Sequence, residues 1–259
     1  MSAWLDPVRA ALDSAASPVT FWFRDDDAGW DDGALDRLLD RCHQHSVHLD
    51  LAVIPVELRD DLAVSLRDHA ATGLVHLHQH GFCHRNHETE GRTCEFGPSR
   101  GRAQQQQDLA DGQALLRGHL GAFVEPVFTP PWNRCTGDTA AALVELGIRV
   151  LSRDSTATPF GHPSLAEAPI TVDWFASRKG ERLSRAEVGE RIAAQAADGS
   201  SPVGVMLHHA VTDTDELALI DQLMALIDAH PMAVSSSIVR LPASGLSAAA
   251  DVDASSSAG

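Results

Sequence analysis

From residue 19 onward, short apolar runs of strand length alternate with longer amphipathic stretches, and this rhythm leaves few folds open. Runs at about 19–24, 49–54, 73–79, 126–130, 148–152, 169–174, 202–208 and 232–240 read as strands. Between them apolar residues recur at helical spacing over 31–45, 57–71, 100–120, 136–146, 184–197 and 214–229, as with Leu35, Leu38, Leu39 and Cys42. Seven or eight strands alternating with helices predict an α/β fold of βα units around a mainly parallel sheet. The polar residues favour a closed sheet. Asp25 to Asp27, His80, Trp132 and His208-His209 each fall just past the C-terminal end of an expected strand, the rim on which barrels build their sites. An open sheet would gather them at one switch point.

The expected architecture is a single irregular (β/α) barrel over residues 1–242, with a short amphipathic helix in 3–15 lying across one end. At 259 residues the chain has the length of one such domain. Residues 243–259, rich in Ala and Ser and without aromatics, are expected to be disordered. Two long polar connections, 85–102 and 154–167, are candidates for loops over the active face. Gln104 to Gln107, inside a helical pattern, are expected on a solvated face.

Charge narrows the function. With 20 Lys+Arg against 36 Asp+Glu, the formal charge of −16 opposes binding to nucleic acid or to an anionic membrane surface. No run approaches the ~18 apolar residues needed to span a bilayer, and the first residues lack a basic then apolar leader, so a cytoplasmic location is expected. Cys42, Cys83, Cys94 and Cys135 form no CxxC pair, and neither a thiolate zinc site nor a disulfide framework is written in their spacing.

The strand Val19-Thr20-Phe21-Trp22-Phe23 runs into Arg24 and three adjacent carboxylates, Asp25, Asp26 and Asp27. Like charges so placed call for a cation, or for a base whose ionisation its neighbours tune; a solvated turn capping the next helix is the plainer account. Further on, period-two geometry sends Val75 and Leu77 to one face and His76, His78 and His80 to the other. His80 and His84 stand four apart, a spacing that one helical turn past the strand brings onto one side. A carboxylate cluster and two such histidines on one rim predict a site for one divalent metal ion. One carboxylate with two imidazoles leaves coordination positions open, as hydrolysis requires, while a neighbouring aspartate can act as base. His87 is a rival third ligand or a residue lining the cleft. In Phe128-Thr129-Pro130-Pro131-Trp132-Asn133-Arg134 the prolines stiffen a turn in which Trp132 offers an apolar wall and a backbone N–H for a developing oxyanion; a rigid turn with a buried Trp explains it equally well. Leu207-His208-His209 ends a buried strand in histidines able to protonate a leaving amine.

Over roughly residues 19–210 these motifs, in this order, resemble the polysaccharide deacetylases of the NodB-homology type, metal-dependent hydrolases that remove N- or O-acetyl groups from sugars. Arg24-Asp25-Asp26-Asp27-Ala28 resembles the family's Thr-Phe-Asp-Asp-Gly, which implies Asp26 as base and Asp27 as ligand, open by one position because the glycine is delayed to Gly29. His80-Gly81-Phe82-Cys83-His84 is similar to the His-(Ser/Thr)-x-x-His motif and implies both histidines as ligands. Thr129-Pro130-Pro131-Trp132 resembles Arg-x-Pro-Tyr, implying an oxyanion contact from the Trp132 backbone; Arg134 or Arg24 is then the candidate for the cation that Thr129 replaces. Leu207-His208-His209 matches Leu-x-His and implies His209 as acid with His208 as runner-up, and Asp173-Trp174 stands for the family's Asp-Trp element.

The expectation is therefore a hydrolase removing an acyl group, N-acetyl first, from a sugar or related small amide. Zinc leads among its candidate ions, with cobalt, nickel, iron and manganese also suited to the ligands. The competing expectation, from the Thr129 replacement and the missing export signal, is a non-catalytic carbohydrate-binding or scaffold protein on a decayed barrel.

Overall fold

The computed structural model describes residues 3–241 and Leu246, so the expected tail of 243–259 lies, apart from Leu246, outside the described residues. Its strands are β1 (Val19–Ala28), β2 (Leu49–Val53), β3 (Val75–His80), β4 (Val124–Thr129), β5 (Val150–Asp154), β6 (Ala166–Ile170), β7 (Val172–Asp173), β8 (Ser177–Arg178), β9 (Glu181–Arg182), β10 (Val203–Leu207) and β11 (Ala233–Ser235). Its helices are α1 (Asp6–Asp13), α2 (Asp32–Gln44), α3 (Asp60–Ala71), α4 (Arg102–Leu120), α5 (Gly137–Glu145), α6 (Arg185–Asp198) and α7 (Thr214–Ala229).

Eight parallel strands lie in the order β6-β5-β4-β3-β2-β1-β10-β7, with β11 paired to the start of β1, giving the irregular (β/α) barrel that the alternation predicts. The expected strand at 169–174 is divided. Its first part continues β6, which pairs with β5, and its last part is β7, which pairs with β10. Thr171 between them bonds Gly204 through both its backbone and its hydroxyl, so one continuous segment spans the gap in the ring.

The outward faces of the strands meet the apolar stripes of the helices: Phe21, Phe23, Leu49, Leu51, Leu77, Val205 and Leu207 share one core with Leu35, Leu38 and Leu39. Burying such a side chain contributes roughly 1.5–3 kcal/mol. The Asp31 carboxylate caps α2 by accepting from the Ala34 N–H, and Ser184 and Glu187 form a reciprocal cap on α6. α1 lies beside α6, and Trp4 ahead of it sets its ring edge-on to Trp174, 5.7 Å between centroids.

The inward positions mix apolar residues such as Trp22, Val150 and Met206 with polar ones. Arg24, Asp50, His78 and Ser152 are buried, which is why the strands read as alternating rather than uniformly apolar. β11 is shorter than the run at 232–240 because the chain turns under the barrel, where the Ile238 N–H donates to Asp50 at 2.8 Å. Gln105 departs from the expected solvated face: it is fully buried, and its amide donates to the Gly97 and Arg100 carbonyls and so ties the long loop before α4 to that helix. Among the described residues no helix is long and apolar enough to cross a membrane.

Candidate active site

The acidic cluster lies inside β1 rather than in a turn after it. The strand continues to Ala28 because its backbone still pairs there, Asp25 opposite Leu207 on β10 and Ala28 opposite Val53 on β2. Between Asp25 and Ala28 the register against β2 shifts, and Asp27 takes the left-handed backbone conformation with φ of 72°. A bulge of this kind re-aims a side chain. Asp26 follows the alternation inward beside Arg24, Asp25 points the other way, and Asp27 is turned out of sequence toward β3.

Asp27, His80 and His84 converge, one ligand atom from each lying within 4.8 Å of the others. Asp27 Oδ1 is 3.1 Å from Nε2 of both histidines. The helical turn expected between them is absent: His80 ends β3, and Gly81 and His84, both at positive φ, swing the loop back over the carboxylate. A side chain at 81 would strike Glu95 and Pro131, so the glycine is required by space as well as by conformation. His80 Nδ1 donates to the Thr129 carbonyl at 3.0 Å, which fixes the ring so that Nε2 is the nitrogen facing Asp27 at 3.1 Å, the one a metal ion would use once its proton is lost. Burial alone would raise the pKa of Asp27, but the hydrogen bonds to His80 and His84 outweigh it and hold the carboxyl well below its usual range. A carboxylate and two imidazole nitrogens facing one point suit a borderline divalent cation.

Asp26 is held by Arg24. The guanidinium, fully buried, donates to both carboxylate oxygens at 2.8 and 2.9 Å, and its remaining N–H groups reach Ser152 and Asn133, each at 2.7 Å. Desolvation, the largest influence, opposes ionisation of Asp26, yet the charges of Arg24, His80 and His208 together outweigh it and lower the pKa. Of the two candidate cations, then, Arg24 is the one that stands on Asp26. Arg134 turns away and donates to the backbone and hydroxyl of Thr93 in the loop after β3. Thr129, at the place of the family's motif arginine, is buried with its hydroxyl 2.8 Å from His78 Nε2. Burial, with the Arg24 charge nearby, draws His78 down to about 3, so this histidine stays neutral.

His208 and His209 have separate places. The His209 ring is fully buried; Nδ1 lies 2.5 Å from Asp25 Oδ2 and Nε2 lies 2.6 Å from the Trp30 carbonyl. Both neighbours are acceptors, so the ring donates twice and is an imidazolium tying β1 to the segment before α2. Both of its nitrogens are thus engaged by Asp25 and Trp30, away from Asp26, and neither stands where the resemblance expects the acid. His208 is the histidine on the rim, part-exposed, with Nε2 3.9 Å from Asp26 Oδ2. Phe175 meets its ring edge-on at 6.3 Å.

The buried charge on His209 makes stability depend on pH. Desolvation lowers its pKa, but Asp25, the Trp30 carbonyl and, more weakly, Asp27 raise it to about 9. A pKa above the unfolded value of 6.5 contributes stability that is complete below 6.5 and disappears as pH rises through about 9. The contribution is about 3 kcal/mol. Urea midpoints of the native protein should fall across that window, and those of His209→Gln should start lower and stay flatter; parallel profiles would show that the ring is not charged.

Two indoles flank His84. Trp132 lies 4.5 Å from the imidazole centroid and Trp30 4.7 Å on another side. Trp132 has φ of 56° within the tight turn Pro131–Asn133, an unusual conformation that the two preceding prolines help impose. Trp30 was not legible as a site residue, because an aromatic after an acidic stretch has no distinguishing pattern. Asp173 ends β7 on the rim, with burial raising its pKa against the opposing charge of His208. Trp174 belongs to the core and donates from its indole to Glu216 at 2.8 Å.

No family model and no curated protein matches the chain. Solved structures do match in fold. A protein from Mycobacterium smegmatis described as a polysaccharide deacetylase superposes with TM-score 0.66 at 15% identity, covering 87% of this chain and 90% of that one. A CE4 esterase of Streptococcus mutans gives TM-score 0.63 at 16% identity over 90% of each chain. A CE4-family pseudoenzyme of Bacillus anthracis gives 0.54 at 12% identity, covering 87% of this chain and 66% of that one. The resemblance read from the motifs thus holds for the architecture: this chain has the fold of the family 4 carbohydrate esterases and polysaccharide deacetylases.

Proposed function

We propose that this protein is a metal-dependent hydrolase that removes an acyl group, acetyl first, from a sugar or related small amide. The observation that carries the reading is the convergence of Asp27, His80 and His84 beside an Asp26 that Arg24 grips through both carboxylate oxygens. Asp27, His80 and His84 would hold a divalent ion, zinc first, and such an ion would supply Lewis acidity toward an acyl carbonyl and a water beside it. Asp26 is the base that takes the proton from that water, since an ionised carboxylate next to the ligand set can accept but not donate. His208 is the acid, in the role expected of its neighbour: its ring reaches Asp26 across the rim and can return a proton to the departing nitrogen or oxygen. Trp132 and Trp30 border the cleft and offer flat apolar surfaces of the kind on which sugar rings rest. The sugar itself enters through the likeness of fold to the deacetylase and esterase neighbours.

A decayed scaffold is the rival reading, and a pseudoenzyme shares the fold. Arg24 favours catalysis over decay, because the charge lost at Thr129 is restored from another strand onto the same carboxylate. The test combines metal analysis of the purified protein with acetate release from a panel of acetylated sugars. Chelation should reduce release to background and added zinc or cobalt should restore it; His80→Ala should lose both the ion and the activity. Full activity in metal-free protein would refute the mechanism, and sugar binding without any release would favour the scaffold.

A further inference from the structure

The loop between β3 and α4 carries a second cluster of donors that hydrolysis does not use. Cys83, His87 and Glu95 each place a ligand atom within 4.8 Å of the other two. Cys83 and His87 lie four apart on the outgoing arm of the loop, and Glu95 returns on the other arm, held opposite by the His87 N–H donating to the Cys94 carbonyl at 3.0 Å.

Each member is short of a partner in a way that one cation would meet. Glu95 is fully buried, yet among the described residues it forms no ion pair; it accepts from the Phe82 and Cys83 N–H groups and from the Cys83 thiol. Of the nearby loop arginines, Arg100 pairs directly with Asp108 and acts on Glu95 only at a distance, and Arg134 donates to Thr93. A buried carboxylate with no cation directly paired to it is costly. His87 Nε2 is buried and has no hydrogen-bond partner among the described residues. The Cys83 thiol lies 3.1 Å from Glu95 Oε1, so its proton occupies the space between two prospective ligands.

From this juxtaposition we infer that Cys83, His87 and Glu95 form a second metal centre, separate from the Asp27–His80–His84 cluster, that takes a borderline transition cation of the zinc or cobalt type. Thiolate, imidazole and carboxylate together select such ions over magnesium or calcium, which prefer all-oxygen sites. On binding, the thiol proton passes to solvent, and the two negative ligands neutralise the ion. The centre staples a loop with no regular structure beyond one bridge, Phe96 to Cys135, and that loop also carries His84. Its part is to hold the loop in place.

Cobalt titration of the full-length protein tests this independently of the proposed hydrolysis, because only this centre has a thiolate. The native chain should bind two cobalt ions and develop an intense near-ultraviolet thiolate-to-cobalt charge-transfer band. Cys83→Ser should bind one ion and lose the band. His87→Gln should keep the fold and weaken uptake at the band-forming site by more than about tenfold. His80→Ala should bind one ion and keep the band, so failure of the hydrolytic site and failure of this one are distinguishable. Cobalt uptake by the native chain without the band, or a band that survives in Cys83→Ser, would overturn the inference.

Discussion

Asp26→Asn lowers turnover by about 10²–10⁴-fold while metal content and fold stay as in the native protein. The amide matches the carboxylate in shape and still accepts one hydrogen bond from Arg24, but it cannot take a proton from water. The ligand set is on the other side of the bulge: Asp27, not Asp26, faces His80 and His84 at 3.1 Å. The loss should therefore appear in kcat with little change in KM, because the group is required for a proton transfer and not for holding substrate. Steady-state kinetics beside metal analysis makes the separation. A variant that keeps kcat within about tenfold would assign the proton to another group.

The second large effect is on stability. Arg24→Met removes a guanidinium that makes two bonds to Asp26 inside the barrel and leaves a buried carboxylate without its counter-charge, a change that costs about 3–5 kcal/mol. Adding Asp26→Asn to Arg24→Met should recover most of that loss, because the uncompensated charge is gone. A double variant no more stable than the single would locate the cost in packing instead. Arg24→Lys separates holding from charge. It keeps a cation but not the planar fork, so it should fold and yet turn over more slowly, having lost the two-point grip that orients Asp26. Chemical denaturation and initial rates on the three variants read both effects.

The periodicity of the chain carries the order of its elements, because apolar positions such as Leu35, Leu38 and Leu39 are set by burial against the strands. The two imidazoles were legible for the same reason: His80 ends an alternating strand, and a fixed spacing links it to His84. Extrapolation past the ends of strands is where the reading failed. Period-two reasoning stops at Asp27, where one left-handed residue reverses the facing of the side chains beyond it. It also cannot choose between His208 and His209, since neighbouring residues face opposite ways and a shift of one position at the strand end exchanges them. The role of Arg24 was half visible, as a charge next to the carboxylates. Its contacts with Ser152 and Asn133 are set by strands far away in the sequence. The Cys83, His87 and Glu95 cluster was hidden because spacing rules count along one arm, and Glu95 arrives from the other.

Asp26, the proposed base, and Arg24 stand two residues apart on one strand, so they are inherited together and cannot be separated by exchanging a rim loop. In a barrel whose cation came from the turn after β4, every recombination of that turn would put ionisation of the base at risk. Here the stretch from Thr129 onward is released from that duty, Asn133 excepted, and under the proposed function it can be redesigned for new acyl donors while the Arg24–Asp26 pair stays whole.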